Sequence, residues 1–244
     1  MNSRVRSTRV LGKAIRQCEN PPGAWLNSST ATIYRHSFDR KMDEWDGEIA
    51  STPEAKDAFS VQVAREWEQV FQECDVPRTR KVALRTAMVL GDDRGGVFHV
   101  LRRLTKLGLG GQMGKGRQFV SWIHQQDFCR AVEWLILKED FCGVVNLVAP
   151  HPLPNSQMMR LFRNTADMRF GLPATRWMLE LGAWLMRTET ELIIKSRRVV
   201  PRRLLSSGFE FAFSEMSEAI QELELRLQGS NGANGIREMN EVRV

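Results

Sequence analysis

The side chains best suited to acid–base chemistry in this sequence lie in residues 27–36, NSSTATIYRH. They follow a Pro-Pro-Gly turn signal and the apolar run GAWL, so they predict the end of a buried strand over residues 24–30. Hydroxyl groups and a tyrosine at a strand end are a common way to build an active-site edge. Tyr34 is the only tyrosine of the chain. A phenol acts as a general acid when a nearby cation lowers its pKa, whereas an isolated tyrosine more often serves packing, and both interpretations stay open.

A glycine-rich stretch, residues 108–116, precedes a second group of polar candidates. It fails the phosphate-loop pattern because Leu109 stands where the first glycine is required and Gly116 where a Ser or Thr is required. The dinucleotide pattern fails at Met113. We therefore predict a mobile loop on the substrate side. His124 follows this loop at a predicted strand end, where a lone histidine is more often structural than catalytic.

Cysteine spacing and charge limit the classes of function. The four cysteines are far apart without metal-ligand spacing, which predicts no metal site and a reduced, cytoplasmic protein. The net charge of +6 comes from basic residues spread along the chain, which indicates solvated helix faces and no nucleic-acid partner. An anionic ligand near an arginine pair is the sharper alternative. No apolar run is long enough for a membrane span.

The predicted elements alternate between helix and strand. Residues 3–18 and 54–74 have the apolar spacing of helices, and residues 81–90 form a near-continuous apolar run typical of a strand covered on both faces. With the strand at residues 24–30, this order predicts an α/β fold with a doubly wound parallel sheet. Asp127 is predicted to cap the helix that follows His124.

The C-terminal third is predicted to be mainly helical, with helices near residues 155–166, 173–187 and 214–227. We accordingly predict a Rossmann-like domain over residues 1–150 and a helical domain over residues 151–228. Residues 229–244 are polar and rich in glycine and asparagine, which predicts a disordered tail.

Several ordered stretches carry a family resemblance. They are NSRVRSTRVL (2–11), SSTATIY (28–34), LRTAMVL (84–90), VNLVAPHPLPN (145–155) and RRVVPRRLLSSGFEF (197–211). Together they resemble the NAD-dependent epimerase/dehydratase type of extended short-chain dehydrogenase/reductase. Within it they resemble an epimerase-like subfamily of uncharacterised substrate with a small C-terminal domain. The resemblance spans about residues 2–227.

The resemblance implies roles for individual residues. Thr30, four residues before Tyr34, is the strand-end hydroxyl that contacts the substrate oxygen, and Tyr34 is the remaining candidate acid. The family's Tyr-x-x-x-Lys pair aligns with Phe59 and Val63, neither of which can transfer a proton. The implied cofactor is NAD or NADP, contacted by Ser29 and Arg85. The implied substrate is a small anionic or sugar-nucleotide molecule, contacted by Arg117, Gln118 and His124.

The family begins with a βαβαβ half whose first turn holds the dinucleotide, and this chain is expected to start after it. The first strand is then expected to have an unpaired edge that promotes self-association. Three functions stay open: an NAD(P)-dependent epimerase or oxidoreductase relative with reduced or no activity, a non-catalytic interaction protein with a link to cell division implied by some relatives, and a non-functional remnant.

Overall fold

The computed structural model describes residues 2–174 and 195–241. A parallel sheet forms its centre and confirms the predicted α/β class. Its strands are β1 (Ala24–Thr30), β2 (Arg80–Thr86) and β6 (Gly143–Leu147), in the spatial order β1-β2-β6. The register places Thr30 beside Thr86. The carboxyl ends of these strands therefore meet at one edge, where ligands bind in open α/β sheets.

Two helices cover one face of β1. Trp25 on β1 packs edge-on against Phe71 of α2 (Ala58–Glu73), with ring centroids 4.8 Å apart. Helix α1 (Asn2–Gln17) packs beside α2. Gly12 permits this close approach, because a Cβ at that position would lie 2.5 Å from the Cys74 Sγ. Both helices lie where the apolar spacing predicts them.

The strand predicted over residues 81–90 is two strands. After β2 ends, the Ala87 N–H donates to the Leu147 carbonyl, and β3 (Met88–Leu90) then pairs in parallel with β5 (Trp122–His124). The partner changes at Ala87, and apolar periodicity cannot register such a change because both strands are buried. A short antiparallel pair joins β4 (Phe119–Val120) to β7 (Leu153–Pro154).

Helix α4 (Gln125–Leu137) begins earlier than predicted. His124 is its N-cap, since its side chain accepts the Gln126 N–H at 3.2 Å. The prediction that Asp127 is the cap is therefore wrong. The Asp127 carboxylate instead accepts the N–H groups of Ala212 and Phe213 at 2.9 and 2.8 Å. Such tertiary contacts leave no local signal in the sequence.

The remaining helices build the C-terminal side. They are α3 (Val97–Leu104), which continues into a π-helical turn over Thr105–Leu109, α5 (Asn155–Thr165), α6 (Arg202–Ser206) and α7 (Met216–Glu241). Helix α7 extends into the segment for which composition predicts disorder. The helix predicted over residues 173–187 lies almost wholly outside the described residues.

One core cluster joins the two predicted domains. Phe98 and Trp122 pack in it with Met159, Ile220 and Leu223. Elements on both sides of residue 150 thus share one apolar core. The boundary at residue 150 stays a prediction.

Candidate functional site

Thr30 lies at the carboxyl end of β1. Its hydroxyl oxygen accepts the Thr32 N–H at 3.2 Å and caps a short 3-10 helix, Ala31–Ile33. That bond uses an oxygen lone pair, so the hydroxyl proton remains for an acceptor. The geometry fits a group that orients a substrate oxygen at the strand end.

Tyr34 is enclosed rather than presented to a substrate. It is fully buried, and its hydroxyl donates to the Asn146 Oδ1 at 3.0 Å and accepts from the Arg85 Nη1 at 2.9 Å. Burial raises the pKa of Tyr34 above its ordinary value, although Arg85 and Asn146 act in the opposite direction. Arg85 is the cation that could lower the pKa of the phenol, but the opposite effect of burial on that pKa is larger. The acid role of Tyr34 stays a prediction that this arrangement does not favour.

Glu68 of α2 joins the two residues assigned to the cofactor. The Arg85 guanidinium makes two bonds to its carboxylate, at 2.8 and 2.7 Å, and the Ser29 hydroxyl donates to the same carboxylate at 2.5 Å. Burial lowers the pKa of Arg85, but the bonds to Glu68 and Tyr34 outweigh it and raise that pKa. We call Ser29, Tyr34, Glu68, Arg85 and Asn146 the Tyr34 network.

The Tyr34 network tests whether this chain's residues fit a dinucleotide. The polar groups of Ser29 and Arg85 turn to Glu68 inside the protein, so in this arrangement they do not fit as cofactor ligands. The glycine-rich stretch runs between the π-helical turn and β4 instead of between a strand and a helix. It therefore does not form the helix N-terminus on which a pyrophosphate sits.

Helix α2 offers no proton-transfer pair at the aligned positions. Phe59 is 59% exposed and Val63 is buried. Helix α2 contacts both β1 and the 3-10 helix, so it lies beside the end of β1.

The three residues assigned to the substrate differ in their exposure and contacts. Arg117 is exposed, with its guanidinium 6.0 Å from the Phe38 ring centroid. Gln118 is buried, and its side chain donates to the Met113 carbonyl at 2.8 Å. His124 is fully buried, with Nε2 3.1 Å from the Glu222 carboxylate. Of the three, Arg117 faces solvent, while Gln118 and His124 make internal contacts and their substrate role stays a prediction.

Sequence reasoning missed residues 195–200, which we call the crossing segment. Its Lys195 ammonium forms a fully buried ion pair with Asp57 at 2.5 Å. Its Ser196 N–H donates to the His36 Nδ1 at 2.8 Å, and its Arg197 Nη1 donates to the Thr32 hydroxyl at 3.0 Å. The crossing segment thus connects the end of β1 to the surface loop after it. Its signals in the sequence were the pair Arg197-Arg198 and the start of the family-like stretch 197–211, neither of which indicated these contacts.

An aromatic and cationic surface lies beside the crossing segment. Phe38 is 46% exposed, and the His36 ring meets it edge-on at 4.8 Å. Burial, followed by the nearby Lys195, lowers the pKa of His36 and favours its neutral form. With Arg117 on Phe38, these three residues form what we call the Phe38 surface.

Residues 2–174 and 195–241 contain no group of three His, Cys, Asp or Glu side chains that could hold a metal ion. Within the same ranges, no helix combines the length and apolarity that a membrane span requires.

Comparisons with known proteins give the family context. A profile described as a domain of unknown function, DUF1731, matches residues 174–223, which include the crossing segment. The human epimerase family protein SDR39U1 is 28% identical over 223 residues, covering 91% of this chain and 73% of the relative. The epimerase family protein YfhF of Bacillus subtilis is 25% identical over 91% of this chain and 70% of its own length.

Solved structures agree on the fold. The crystal structure of human SDR39U1 with NADPH matches with a TM-score of 0.81 and 28% identity, covering 91% of this chain and 72% of that chain. A nucleoside-diphosphate sugar epimerase from Corynebacterium glutamicum matches with a TM-score of 0.70 at 22% identity, covering 99% of this chain and 51% of that one. The second match supports the fold alone.

Proposed function

We propose that this chain, a homologue of the epimerase family proteins, is the substrate-holding part of an NAD(P)-dependent epimerase or oxidoreductase, with reduced or no turnover. One observation carries the proposal. Thr30 lies at the carboxyl end of β1, where the family resemblance implies a substrate contact, while α2 has Phe59 and Val63 at the aligned positions. Substrate orientation is then retained without the proton transfer that should accompany it.

The cofactor class follows from a relative. The human homologue was crystallised with NADPH, so we propose a nicotinamide dinucleotide. This proposal does not rest on Ser29 or Arg85, because both bond internally to Glu68.

The substrate class follows from the Phe38 surface. An exposed guanidinium binds phosphate in a charge-assisted manner, and a half-exposed aromatic ring offers a face for a base or sugar. Arg117 and Phe38 supply these two groups side by side. In the crossing segment beside this surface, Ser196 bonds to His36 and Arg197 bonds to Thr32 near the end of β1. This combination favours an anionic, sugar-nucleotide-like substrate.

Calorimetric titration with UDP-glucose tests the proposal. We expect saturable binding that Arg117→Ala weakens by about tenfold, since one charge-assisted contact is lost. Arg6→Ala, which removes the same charge from the exposed face of α1, serves as the matched control and should bind like the parent protein. Absence of saturable binding, or equal affinity in the two variants, would overturn the assignment of the Phe38 surface.

An activity assay tests the second half of the proposal. Conversion of UDP-glucose to an epimer, or its oxidation with formation of NADPH from NADP+, should stay far below the rates of about 1–1,000 per second of ordinary enzymes. Turnover in that range would show that proton transfer occurs without the Tyr-x-x-x-Lys pair.

The second candidate function is a non-catalytic interaction protein. A specific observation favours it: the aligned positions of α2 hold Phe59 and Val63, neither of which can transfer a proton. A pull-down that recovers no specific partner would count against it.

A further inference from the structure

Thr32, in the middle of the 3-10 helix, has its N–H, its hydroxyl and its carbonyl each bonded to a specific partner. The N–H donates to the Thr30 hydroxyl oxygen at 3.2 Å, and the hydroxyl accepts from the Arg197 Nη1 at 3.0 Å. The carbonyl accepts from the Lys195 Nζ at 2.5 Å. Because each peptide unit is planar, these three bonds fix the backbone torsions and the side-chain rotamer of Thr32. Two of the three partners belong to the crossing segment.

Lys195 connects Thr32 to the start of α2. Its ammonium pairs with the Asp57 carboxylate, and neither side chain is exposed. The same carboxylate accepts the Thr52 N–H at 2.7 Å, and the Asp57 carbonyl accepts the Val61 N–H in the first turn of α2. The ammonium therefore joins the Thr32 carbonyl to the residue from which α2 begins.

Stability alone does not account for this buried ion pair. Both charges lose their hydration, and an apolar pair of similar volume often stabilises a protein as well or better. The bonds of an ion pair are directional, however, so they specify one arrangement of the groups they join. In this protein the arrangement specified by Lys195 and Asp57 is that of Thr32, whose N–H bonds to the Thr30 hydroxyl.

We propose that Lys195 and Arg197 are positioning residues for substrate binding and act on Thr30 through Thr32. The Thr32 N–H occupies one lone pair of the Thr30 oxygen, and so leaves the Thr30 hydroxyl proton directed away from it, for a substrate oxygen. A hydroxyl that is oriented in advance loses less freedom on binding. The proposal rests on the function proposed above, since it needs Thr30 to contact the substrate.

Amide hydrogen exchange, measured by NMR on the full chain, tests the positioning without any ligand. Lys195→Met removes the bond to the Thr32 carbonyl, and is combined with Asp57→Asn so that no unpaired charge stays buried. We expect the Thr32 amide to exchange at least fivefold faster relative to the amides of β2, which report any change in global stability. Arg198→Met is the matched control: Arg198 lies in the same segment but donates to the Asp39 carbonyl, so Thr32 exchange should not change.

Thr32→Val and Thr32→Ser test the effect on the ligand. Valine keeps the branched shape but loses the hydroxyl that accepts from Arg197, whereas serine keeps that hydroxyl. In calorimetric titration with UDP-glucose, Thr32→Val should bind about fivefold more weakly, and Thr32→Ser should retain most of the parent's affinity. A purely structural role would lower the stability of Thr32→Val without changing the affinity of the folded protein.

Two results would overturn the proposal. The first is Thr32 amide exchange that is the same in the double variant as in the parent. If that variant does not fold, Arg197→Met supplies the same comparison, because it removes the bond to the Thr32 hydroxyl. The second is equal affinity of the parent and Thr32→Val for UDP-glucose. Absence of UDP-glucose binding by the parent would instead overturn the function proposed above, and amide exchange alone would then decide whether Lys195 fixes Thr32.

Discussion

At the scale of single residues, the polar side chains of the Tyr34 network bond to one another inside the protein, which is a structural role. Glu68 holds Arg85 and Ser29, and Arg85 in turn holds the phenol of Tyr34. The side chains of Arg85 and Glu68 are only 7% and 12% exposed. A buried pair of this kind is costly to break because the remaining charge has no partner.

Glu68→Gln should therefore destabilise the protein by about 2–4 kcal/mol, because the buried Arg85 loses its counter-charge. Urea denaturation measures the loss. Glu66→Gln is the control, since Glu66 bonds Gln62 at the surface of the same helix and should cost less than about 0.5 kcal/mol. Equal effects of the two changes would mean that the Arg85–Glu68 pair is not a main contributor to stability.

Substrate and structural roles can also be separated at Thr30. Thr30→Val removes the cap of the 3-10 helix together with the hydroxyl, and should cost about 1 kcal/mol of stability. If Thr30 also orients the substrate, the affinity of the folded variant for UDP-glucose should fall, which a loss of folding stability alone would not cause. A calorimetric titration on the folded variant checks this, and unchanged affinity would leave Thr30 with a structural role alone.

At the scale of elements, helix α7 is held by polar side-chain contacts near β5 and α3. Glu222 of α7 meets His124, and Glu224 of α7 meets Arg102 at 2.5 Å. The Phe213 ring lies 4.0 Å from the His124 ring, and Arg226 also lies near. His124 accepts at Nδ1 from the Gln126 N–H, so its neutral form donates through Nε2 to Glu222.

Burial lowers the pKa of His124, and Arg226 adds to this, while Glu222 and Asp127 act in the opposite direction. The contribution of His124 to stability is then fully present above about pH 6.5 and is lost as pH falls through its lower pKa in the folded state. The free energy of unfolding should decrease from neutral to mildly acidic pH. His124→Gln should show a smaller decrease, and equal pH profiles would contradict this role.

At the scale of the whole molecule, the shared core predicts cooperative unfolding. Phe98 and Trp122 from the first predicted domain pack with Met159 and Ile220 from the second. A single transition by scanning calorimetry, with equal calorimetric and van't Hoff enthalpies, is the expected result. Two separate transitions would instead support independent domains divided near residue 150.

Much of this architecture can be read from the sequence, and the failures have physical causes. Helices α1 and α2 and strand β1 follow from apolar spacing, because each buries one regular face. The division of residues 81–90 at Ala87 depends on a change of partner strand. The cap at His124, the Tyr34 network and the crossing segment depend on residues far apart in the chain, such as Glu68 and Arg85 or Lys195 and Asp57.

The most direct test of the central claim is an ultraviolet titration of the single tyrosine. If Tyr34 is a structural residue of a buried network, its phenol should titrate above its ordinary pKa of 10.0, together with alkaline unfolding. Because the unfolded chain releases the phenol proton first, the contribution of Tyr34 to the free energy of unfolding is fully present below about pH 10. That contribution is lost as the pH rises through the raised pKa of the folded state. A phenol that ionises reversibly below pH 10 in the folded protein would contradict the account and restore Tyr34 as the candidate catalytic acid.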